Sequence, residues 1–204
     1  MWKDIVDQLK TATLLLLALT ALTGLLYPLM VTGVAQTLCP DRANGSLVLR
    51  DGAVRGSRLV GQSFRAPGYF RGRPSATTPA CNAAASAGSN LGPSDPERLR
   101  RAAAVLEALR GAGPRGASPV PVDLVTASGS GLDPDISPAA AEYQVPRVAR
   151  ARGIDPGRLR ELVRRRVVPP QYGILGDARV NVLELNLALD RLTRAEDPGP
   201  GLTP

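Results

Sequence analysis

The feature that most constrains this chain is a run of 30 residues without a charged side chain, from Thr11 to Pro40. Its apolar part, Leu14 to Ala35, would extend ~33 Å as an α-helix, enough to cross a hydrocarbon core ~30 Å thick. No second apolar run of this length follows in the 204 residues. The pattern predicts one membrane-spanning helix and one soluble domain, and it excludes a multispan transporter.

A cleaved signal peptide is the main alternative for this segment, because Gly33-Val34-Ala35 is a small-residue pattern typical of cleavage sites. The apolar stretch is longer than the ~7 to 15 residues of a signal-peptide core, and Asp4 and Asp7 precede it. We therefore favour a retained anchor. The predicted segments are a short cytoplasmic amino terminus (1–10), a transmembrane helix (11–37), an extracytoplasmic soluble domain (38–194) and a flexible tail (195–204).

Small and kinking residues in the predicted helix indicate contact with other membrane helices. Thr20 and Gly24 have the four-residue spacing that allows close helix approach, and Pro28 frees a backbone carbonyl. Gly and Pro are also common in membrane helices generally, which is the alternative explanation. We favour a partner contact through Thr20, Gly24, Tyr27 and Pro28. Since the segment contains no ionisable residue, we do not expect this chain to form an ion pathway by itself.

The sequence pattern of the soluble part predicts a mixed α+β domain. A hairpin is expected within Leu47–Gly61, with Asp51-Gly52 as its turn, and Val120–Thr126 is a candidate buried strand. Between them, Arg65–Pro96 has no periodicity and is rich in Pro, Gly, Ser and Asn. Helix starts are predicted at Asp95-Pro96, Ser137-Pro138, Asp155-Pro156 and Asn181. The second of these helices is expected to be interrupted at Pro146 and to end at Gly153.

Two segments are candidate functional sites. In residues 126–141, a Ser/Gly turn (Ser128–Gly131) precedes Asp133 and Asp135. This turn is either a cradle for phosphate or a cation, or a simple strand-to-helix connection, which we favour. In residues 69–76 (YFRGRPSA), the aromatic and arginine side chains either contact a partner or belong to a loop held on the domain by Phe70. Both interpretations remain open for Tyr69, Phe70, Arg71 and Arg73.

The residue types that are missing exclude several activities. The chain has no histidine, so His-dependent triads and the usual zinc sites are not expected. It lacks a Gly-x-x-x-x-Gly-Lys-[Ser/Thr] motif, which argues against phosphoryl transfer. The net charge is +7, but the arginines are scattered without interleaved aromatics, which argues against a nucleic-acid partner. We expect no enzymatic activity, and neither a metal nor a cofactor bound by this chain alone. Cys39 and Cys81 either pair or remain free thiols.

Eight motifs occur in order along the chain and resemble one family. They are TGLLYP (23–28), ANGSL (43–47), GQSF (61–64), YFRGRPSA (69–76), GSNLGPSDP (88–96), PVDLVTASGSGLDPDISPAAA (121–141), QVPRVARARG (144–153) and RVNVLELNLALD (179–190). Together they resemble the KdpC family, the C subunits of the Kdp potassium-transporting ATPase. The resemblance extends over nearly the whole chain, and the block 121–153 is its most specific part.

The resemblance implies a single-pass accessory subunit of a bacterial inner-membrane complex that imports K⁺ at the expense of ATP. The implied partners are the potassium-binding, channel-like A subunit, the P-type ATPase B subunit and the small F subunit, with membrane lipid around the helix. ATP, K⁺ and Mg²⁺ act through that complex. The family is described as a catalytic chaperone that raises the ATP affinity of the B subunit. The nucleotide-binding residues implied here are Ser128, Gly129, Ser130, Gly131 and Gln144.

Two features of this chain modify what the resemblance implies. Asp135 stands where the family pattern has histidine, in Asp-Pro-His-Ile-Ser-Pro, so no role of an imidazole is transferred. The hydropathy pattern places the domain outside the cytoplasm, whereas ATP is inside, so an effect on nucleotide affinity is expected to be allosteric. We predict that the domain stabilises or caps the outer face of the potassium-conducting subunit. The alternative is a membrane-tethered or secreted ligand-binding module with its site at Ser128–Asp135.

Overall fold

The structure, a computed structural model, describes residues 1–112 and 119–196. The chain divides into two compact units, Met1–Leu47 and Val48–Pro204. Most of the predicted flexible tail, residues 197–204, lies outside the described residues.

The first unit is one long helix followed by a single helical turn. Helix α1 (Trp2–Ala21) continues through a π-helical turn (Leu22–Leu26) into α2 (Tyr27–Leu38), and α3 (Pro40–Ala43) follows. The 37 residues of Trp2–Leu38 are long and apolar enough to cross a membrane, and no other described helix meets this criterion. The single candidate membrane span predicted from the uncharged run is thus confirmed.

The π turn lies directly before Pro28. Proline has no backbone N–H, and its ring collides with the carbonyl one turn earlier in a regular α-helix. In the π turn the Tyr27 N–H bonds to the Leu22 carbonyl, five residues back, which makes a wider turn. The wider turn gives the proline ring room, and the helix passes Pro28 without breaking.

The predicted hairpin is present at the start of the domain. Strands β1 (Leu47–Arg50) and β2 (Ala53–Ser57) form a two-stranded sheet. Both residues of its turn have positive φ, +54° at Asp51 and +74° at Gly52. This is the geometry of a type I′ turn, in which Asp-Gly is favoured because its twist matches that of the strands.

Four helices make up much of the second unit, and all four begin where the sequence predicts. They are α4 (Pro96–Ala112), α5 (Pro138–Arg152), α6 (Pro156–Arg165) and α7 (Val182–Glu196). Side-chain oxygens of the preceding residues accept backbone N–H groups of the first turns, from Asp95, Ser137, Asp155 and Asn181. Helix α5 ends at Gly153, whose φ of +67° is the left-handed conformation of a helix end.

A small antiparallel sheet joins the helices. Its strands are β3 (Asp135–Ile136), β4 (Val167–Val168) and β5 (Arg179–Asn181), in the order β3-β5-β4. The centre of β5, Val180, pairs with Ile136 on one side and Val167 on the other, and it is fully buried. Helices and short antiparallel strands in one domain confirm the predicted α+β class.

Two local predictions are wrong. Val120–Thr126 is not a strand: Pro121 has no N–H to donate to a neighbouring strand, and after it (φ −57°, ψ 138°) the chain enters a short 3₁₀ helix, Val122–Leu124. Only Leu124 of that helix is buried, whereas Val122 is 69% exposed. Helix α5 is not interrupted at Pro146 but continues through it. The buried neighbours on either side of this proline, Val145 and Val148, keep the helix packed although one backbone bond is lost.

The hydrophobic core of the domain lies among α5, α6, α7 and β5. One of its members, Phe70, comes from the long irregular segment rather than from a helix or strand. The core residues are Phe70, Leu124, Ile136, Ala140, Ala141, Val145, Val148, Ala149, Ile154, Leu159, Val163, Val180, Val182, Leu185 and Leu189.

Candidate functional site

The 67–77 loop lies against α5 and α7 and is held there by two side-chain amides. Asn186 accepts the Phe70 N–H and donates to the Phe70 carbonyl, both at 2.9 Å. Gln144 forms the same pair of bonds with Arg71, at 2.8 and 3.0 Å. Both amides are buried. The two side chains supply the hydrogen bonds that a neighbouring strand would supply, so they fix the backbone of this loop.

A buried arginine lies under the same loop. The Arg147 guanidinium, 8% exposed, donates to the carbonyls of Pro67 and Tyr69 and to Gln144 Oε1 at 2.7 Å. Burial, and secondarily the charge of Arg71, lowers the pKa of Arg147 to about 10, so it remains protonated at neutral pH. A buried charge is costly unless polar groups compensate it. The loop carbonyls provide this compensation, which couples the position of the loop to that of Arg147.

Asp190 on α7 binds three side chains at the edge of the loop. Its carboxylate lies 2.8 Å from Arg152 Nη2, 3.4 Å from the Tyr69 hydroxyl and 3.6 Å from Arg50 Nη1. The Arg152 guanidinium also stacks over the Tyr69 ring, 4.4 Å from its centre. Tyr69 is therefore held by a cation and an anion of its own domain, with its ring partly exposed.

The far end of the loop binds the segment after the 3₁₀ helix. Arg73 pairs with Asp133 at 3.0 Å, and Ser75 Oγ donates to the Gly131 carbonyl at 2.7 Å. The same Ser75 oxygen accepts the Cys81 N–H at 3.0 Å. Two of the sequence candidates, Arg73 and the Ser/Gly turn, are thus brought together by the fold.

The Ser/Gly turn packs into the domain. Ser128 is 5% exposed, and its Oγ accepts the Gly131 N–H at 2.9 Å. The Ser130 carbonyl accepts the Ala87 N–H at 3.0 Å. At Gly131, where φ is +70°, an added Cβ would lie 2.7 Å from Thr77 Cγ2. The turn therefore follows a 3₁₀ helix rather than the predicted strand, and Ser128 Oγ, the Gly131 N–H and the Ser130 carbonyl are bonded within the domain. A cradle for phosphate or a cation at this turn stays a prediction.

Asp135, at the position where the resemblance implies a histidine, is part of an ion pair at the sheet. Its carboxylate lies 3.1 Å from Arg179 Nε and accepts a bond from Asn181 at 3.2 Å. Burial raises the pKa of Asp135, although Arg179 acts in the opposite direction. Within residues 1–112 and 119–196, no group of three or more His, Cys, Asp or Glu side chains has the arrangement of a metal site.

The residues that the resemblance links to nucleotide contact the 67–77 loop at two places. Gln144 binds the loop at Arg71, and the Ser128–Gly131 turn binds it at Ser75. Gln144 is only 2% exposed, and both of its amide atoms are bonded within the domain. A nucleotide contact by these residues stays a prediction.

In the other unit, the four predicted partner-contact residues lie in or beside the π turn. A Cβ added at Gly24 would lie 3.9 Å from Thr20 Cγ2, so these two residues are neighbours on the helix surface. Tyr27 and Pro28 begin the helix after the turn. Their contact with a partner helix stays a prediction, as does that of Tyr69, Arg71 and Arg73 in the loop. The side chain of Phe70 lies in the core.

A cleft of about 380 Å³ opens beside the loop and includes Arg71, Arg73 and Cys81 among its lining residues. The Nε atoms of both arginines are buried there without a hydrogen-bond partner. Cys81 and Cys39 are both free thiols. The disulfide left open by the sequence is therefore not formed in this structure.

We expect Cys81 to react with iodoacetamide several-fold more slowly than Cys39 in the folded full-length chain. Burial raises the pKa of the Cys81 thiol, and the thiolate is the reactive form, whereas Cys39 is exposed. Mass spectrometry of the labelled peptides over a pH series measures both rates. The difference should narrow as the pH approaches the raised pKa. Equal rates at neutral pH, or a disulfide-linked peptide, would contradict this expectation.

Sequence reasoning did not single out four side chains that organise this site: Asn186, Arg147, Arg152 and Asp190. A signal was present for Asn186, which lies beside Leu185 on the helix and is 1% exposed. A polar residue among the apolar positions of an amphipathic helix needs a buried hydrogen-bond partner. That partner comes from a loop more than 100 residues earlier, which the local sequence does not identify.

Comparisons with known proteins extend over almost the entire chain. The family model described as KdpC, the c chain of K⁺-transporting ATPase, matches residues 9–191. A potassium-transporting ATPase KdpC subunit of Polaromonas naphthalenivorans is 57% identical over 192 residues, covering 94% of this chain and 98% of the relative. The corresponding subunit of Sorangium cellulosum is 58% identical over 184 residues, covering 90% and 97%. That of Methylococcus capsulatus is 55% identical over 188 residues, covering 92% and 99%. This chain therefore belongs to the KdpC family of potassium-transporting ATPase subunits.

Proposed function

We propose that this chain is a non-catalytic, single-pass subunit whose folded domain lies outside the cytoplasm. The domain stabilises or caps the outer face of the potassium-conducting A subunit, and the membrane helix packs against its neighbours through Thr20, Gly24, Tyr27 and Pro28. The amino end remains inside, in keeping with Lys3 and Lys10 ahead of the helix.

The burial of Gln144 supports the part of this proposal in which the domain acts through its partners rather than by binding nucleotide itself. Its amide is 2% exposed and binds both backbone groups of Arg71 as well as Arg147. A ligand at this amide would have to displace three bonds inside the domain. The residue that the family resemblance connects with nucleotide is better explained as a support for the 67–77 loop, and the loop side chains then contact the partner.

In this arrangement the domain can change ATP affinity only indirectly, by acting on the B subunit. On the proposed topology the domain and ATP are on opposite sides of the membrane, so the coupling between them is allosteric. The domain favours one conformation of the complex, and that conformation binds ATP more tightly. The rival ligand-binding module at Ser128–Asp135 has less support, since Ser128 is buried and the turn is bonded to the surrounding loops.

Deleting residues 41–204 while keeping the membrane helix tests the proposal. We expect the truncated chain to assemble poorly with the A and B subunits, and the potassium-stimulated ATPase activity to be lost. Co-purification and ATP hydrolysis measure the two effects. The full-length chain with Glu142→Ala, a change at a partly exposed side chain of α5, is the control and should behave as wild type. Full assembly and activity of the truncated form would contradict the proposal.

The side of the membrane can be measured independently with the exposed natural cysteine, Cys39. An impermeant maleimide should label Cys39 in intact spheroplasts and spare it in sealed inverted vesicles. Labelling only in the inverted vesicles would place the domain in the cytoplasm and would make a direct contact with ATP possible.

A further inference from the structure

The connection between β4 and β5 ends in an exposed apolar tip, residues 171–175. Tyr172 is 84% exposed, Ile174 83% and Leu175 55%. Other exposed apolar side chains of this unit, such as Leu99 and Val122, are separated along the chain, whereas these three fall within four residues. Removing apolar side chains of this kind from water is favourable, so three together form a strong candidate for an interaction surface.

The backbone of the tip is already ordered in the absence of side-chain packing. Gln171 and Leu175 exchange both of their backbone hydrogen bonds at 2.9 Å, and the Gly173 N–H bonds to the Pro170 carbonyl. Tyr172 adopts a positive φ of +55°, which is unusual for an aromatic residue. Strained backbone of this kind is concentrated at functional sites. An ordered tip loses little conformational entropy when it binds, so its apolar side chains act as preformed anchors.

The charge pattern favours a protein over a lipid surface as the occupant. Residues 167–178 include no lysine or arginine, and their one charged residue is Asp177. A segment that binds a membrane surface normally has basic residues beside its apolar ones, to attract anionic headgroups. Arginines flank the segment on both sides, but Arg164 and Arg165 pair with Glu161, and Arg179 pairs with Asp135. Aromatic and aliphatic anchors whose flanking arginines are largely neutralised within their own domain suit an apolar pocket on a folded partner.

We propose that the tip inserts into an apolar pocket on a neighbouring subunit of the ATPase complex. The pocket is lined by aliphatic or aromatic side chains and offers an uncharged hydrogen-bond partner to the Tyr172 hydroxyl. The inference rests on membership in a family of ATPase subunits and deepens the proposed function, because it names the segment through which the domain docks.

The double substitution Tyr172→Ser and Ile174→Ser in the full-length chain tests the tip. After co-expression with the other subunits and a detergent wash, we expect roughly tenfold less of this chain to remain with the complex, as for loss of central anchors elsewhere. The matched control, Leu99→Ser with Val122→Ser, removes side chains of similar exposure, 64% and 69%, and should leave retention unchanged. Unchanged retention of the tip variant would overturn the inference.

A crosslinking arm distinguishes the possible occupants. The photoreactive residue p-benzoylphenylalanine in place of Tyr172, in the assembled complex, should give an adduct with another subunit after irradiation. An adduct with phospholipid alone, or no adduct, would overturn the inference. Loss of amide-exchange protection in α7 would show that the serine variant has lost its fold. In that case the crosslink, made in a chain changed only at Tyr172, tests the inference. Normal retention of the tip variant together with loss of activity on deletion of 41–204 would reject the tip while keeping the proposed function.

Discussion

Gln144→Ala is expected to release the 67–77 loop from the domain. The substitution leaves the Arg71 N–H and carbonyl without their buried partners and removes one acceptor from the Arg147 guanidinium. Leaving buried polar groups unsatisfied costs ~1 to 3 kcal/mol each, so we expect ~3 kcal/mol in total. Hydrogen exchange of the Arg71 amide in the full-length chain measures this directly. Its protection factor should fall about a hundredfold, since each ~1.4 kcal/mol is a factor of ten.

Glu142→Ala is the control on the same helix. Glu142 forms only a surface ion pair with Arg160, 3.6 Å long, and such pairs contribute little. The Arg71 amide should then exchange as in the wild type. If Gln144 acts instead by binding ATP, Gln144→Ala would weaken the nucleotide affinity of the complex while leaving the exchange of Arg71 unchanged. That result would contradict the role assigned to Gln144 here.

Gly131→Ala is expected to destabilise the domain by ~3 kcal/mol. The residue has a φ of +70°, which costs a residue with a side chain ~1 to 2 kcal/mol. The new Cβ would also lie 2.7 Å from Thr77 Cγ2 and 2.8 Å from the Ala87 carbonyl oxygen, so the loops around the turn must move. Thermal unfolding followed by near-UV circular dichroism should show a midpoint lower by roughly 6 to 12 °C.

Gly129→Ala, two residues earlier in the same turn, is the matched control. No atom lies within 4 Å of a Cβ added there, and the stability should change by less than ~0.5 kcal/mol. The two variants, Gly131→Ala and Gly129→Ala, also test the nucleotide-binding role that the resemblance implies for this turn. A backbone cradle for phosphate would lose affinity on Gly129→Ala without loss of stability. Equal stability of the two variants would contradict the packing described for Gly131.

The starts of all four domain helices could be predicted because capping is local. At Asp95, Ser137, Asp155 and Asn181, the acceptor and the N–H group that it binds are within three residues of each other. The Asp51-Gly52 turn was predictable for the same reason. The hairpin and the helix starts therefore follow from short stretches of sequence alone.

The three-stranded sheet could not be predicted in this way. Strands of two or three residues are too short to show alternation, and β5 pairs with residues more than ten positions away on both sides. At Val120–Thr126 the error was the opposite one, since a strand was predicted where none forms. A short apolar run does not specify the backbone conformation, and here a 3₁₀ helix follows Pro121.

The candidate site was predictable in its residues but not in its connections. The motifs around Tyr69–Ala76, Gln144 and residues 179–190 are distinctive in sequence, and the fold brings them together. The bonds from Asn186 to Phe70 and from Gln144 to Arg71 join positions 116 and 73 residues apart. No pattern in a single sequence pairs such distant groups, so the clamping role of both amides emerges only from the fold.

The π turn at Leu22–Leu26 has a geometric consequence for the membrane helix. Each residue of an α-helix turns the chain by about 100°, so one residue inserted into a turn shifts every later side chain by about that angle around the axis. A row of side chains on one face of the helix before the π turn therefore continues on a different face after it, in the half that ends at Leu38. The two halves of one membrane helix can then present their contact faces in two different directions. A single span built this way can face one neighbour near one leaflet and another neighbour near the opposite leaflet.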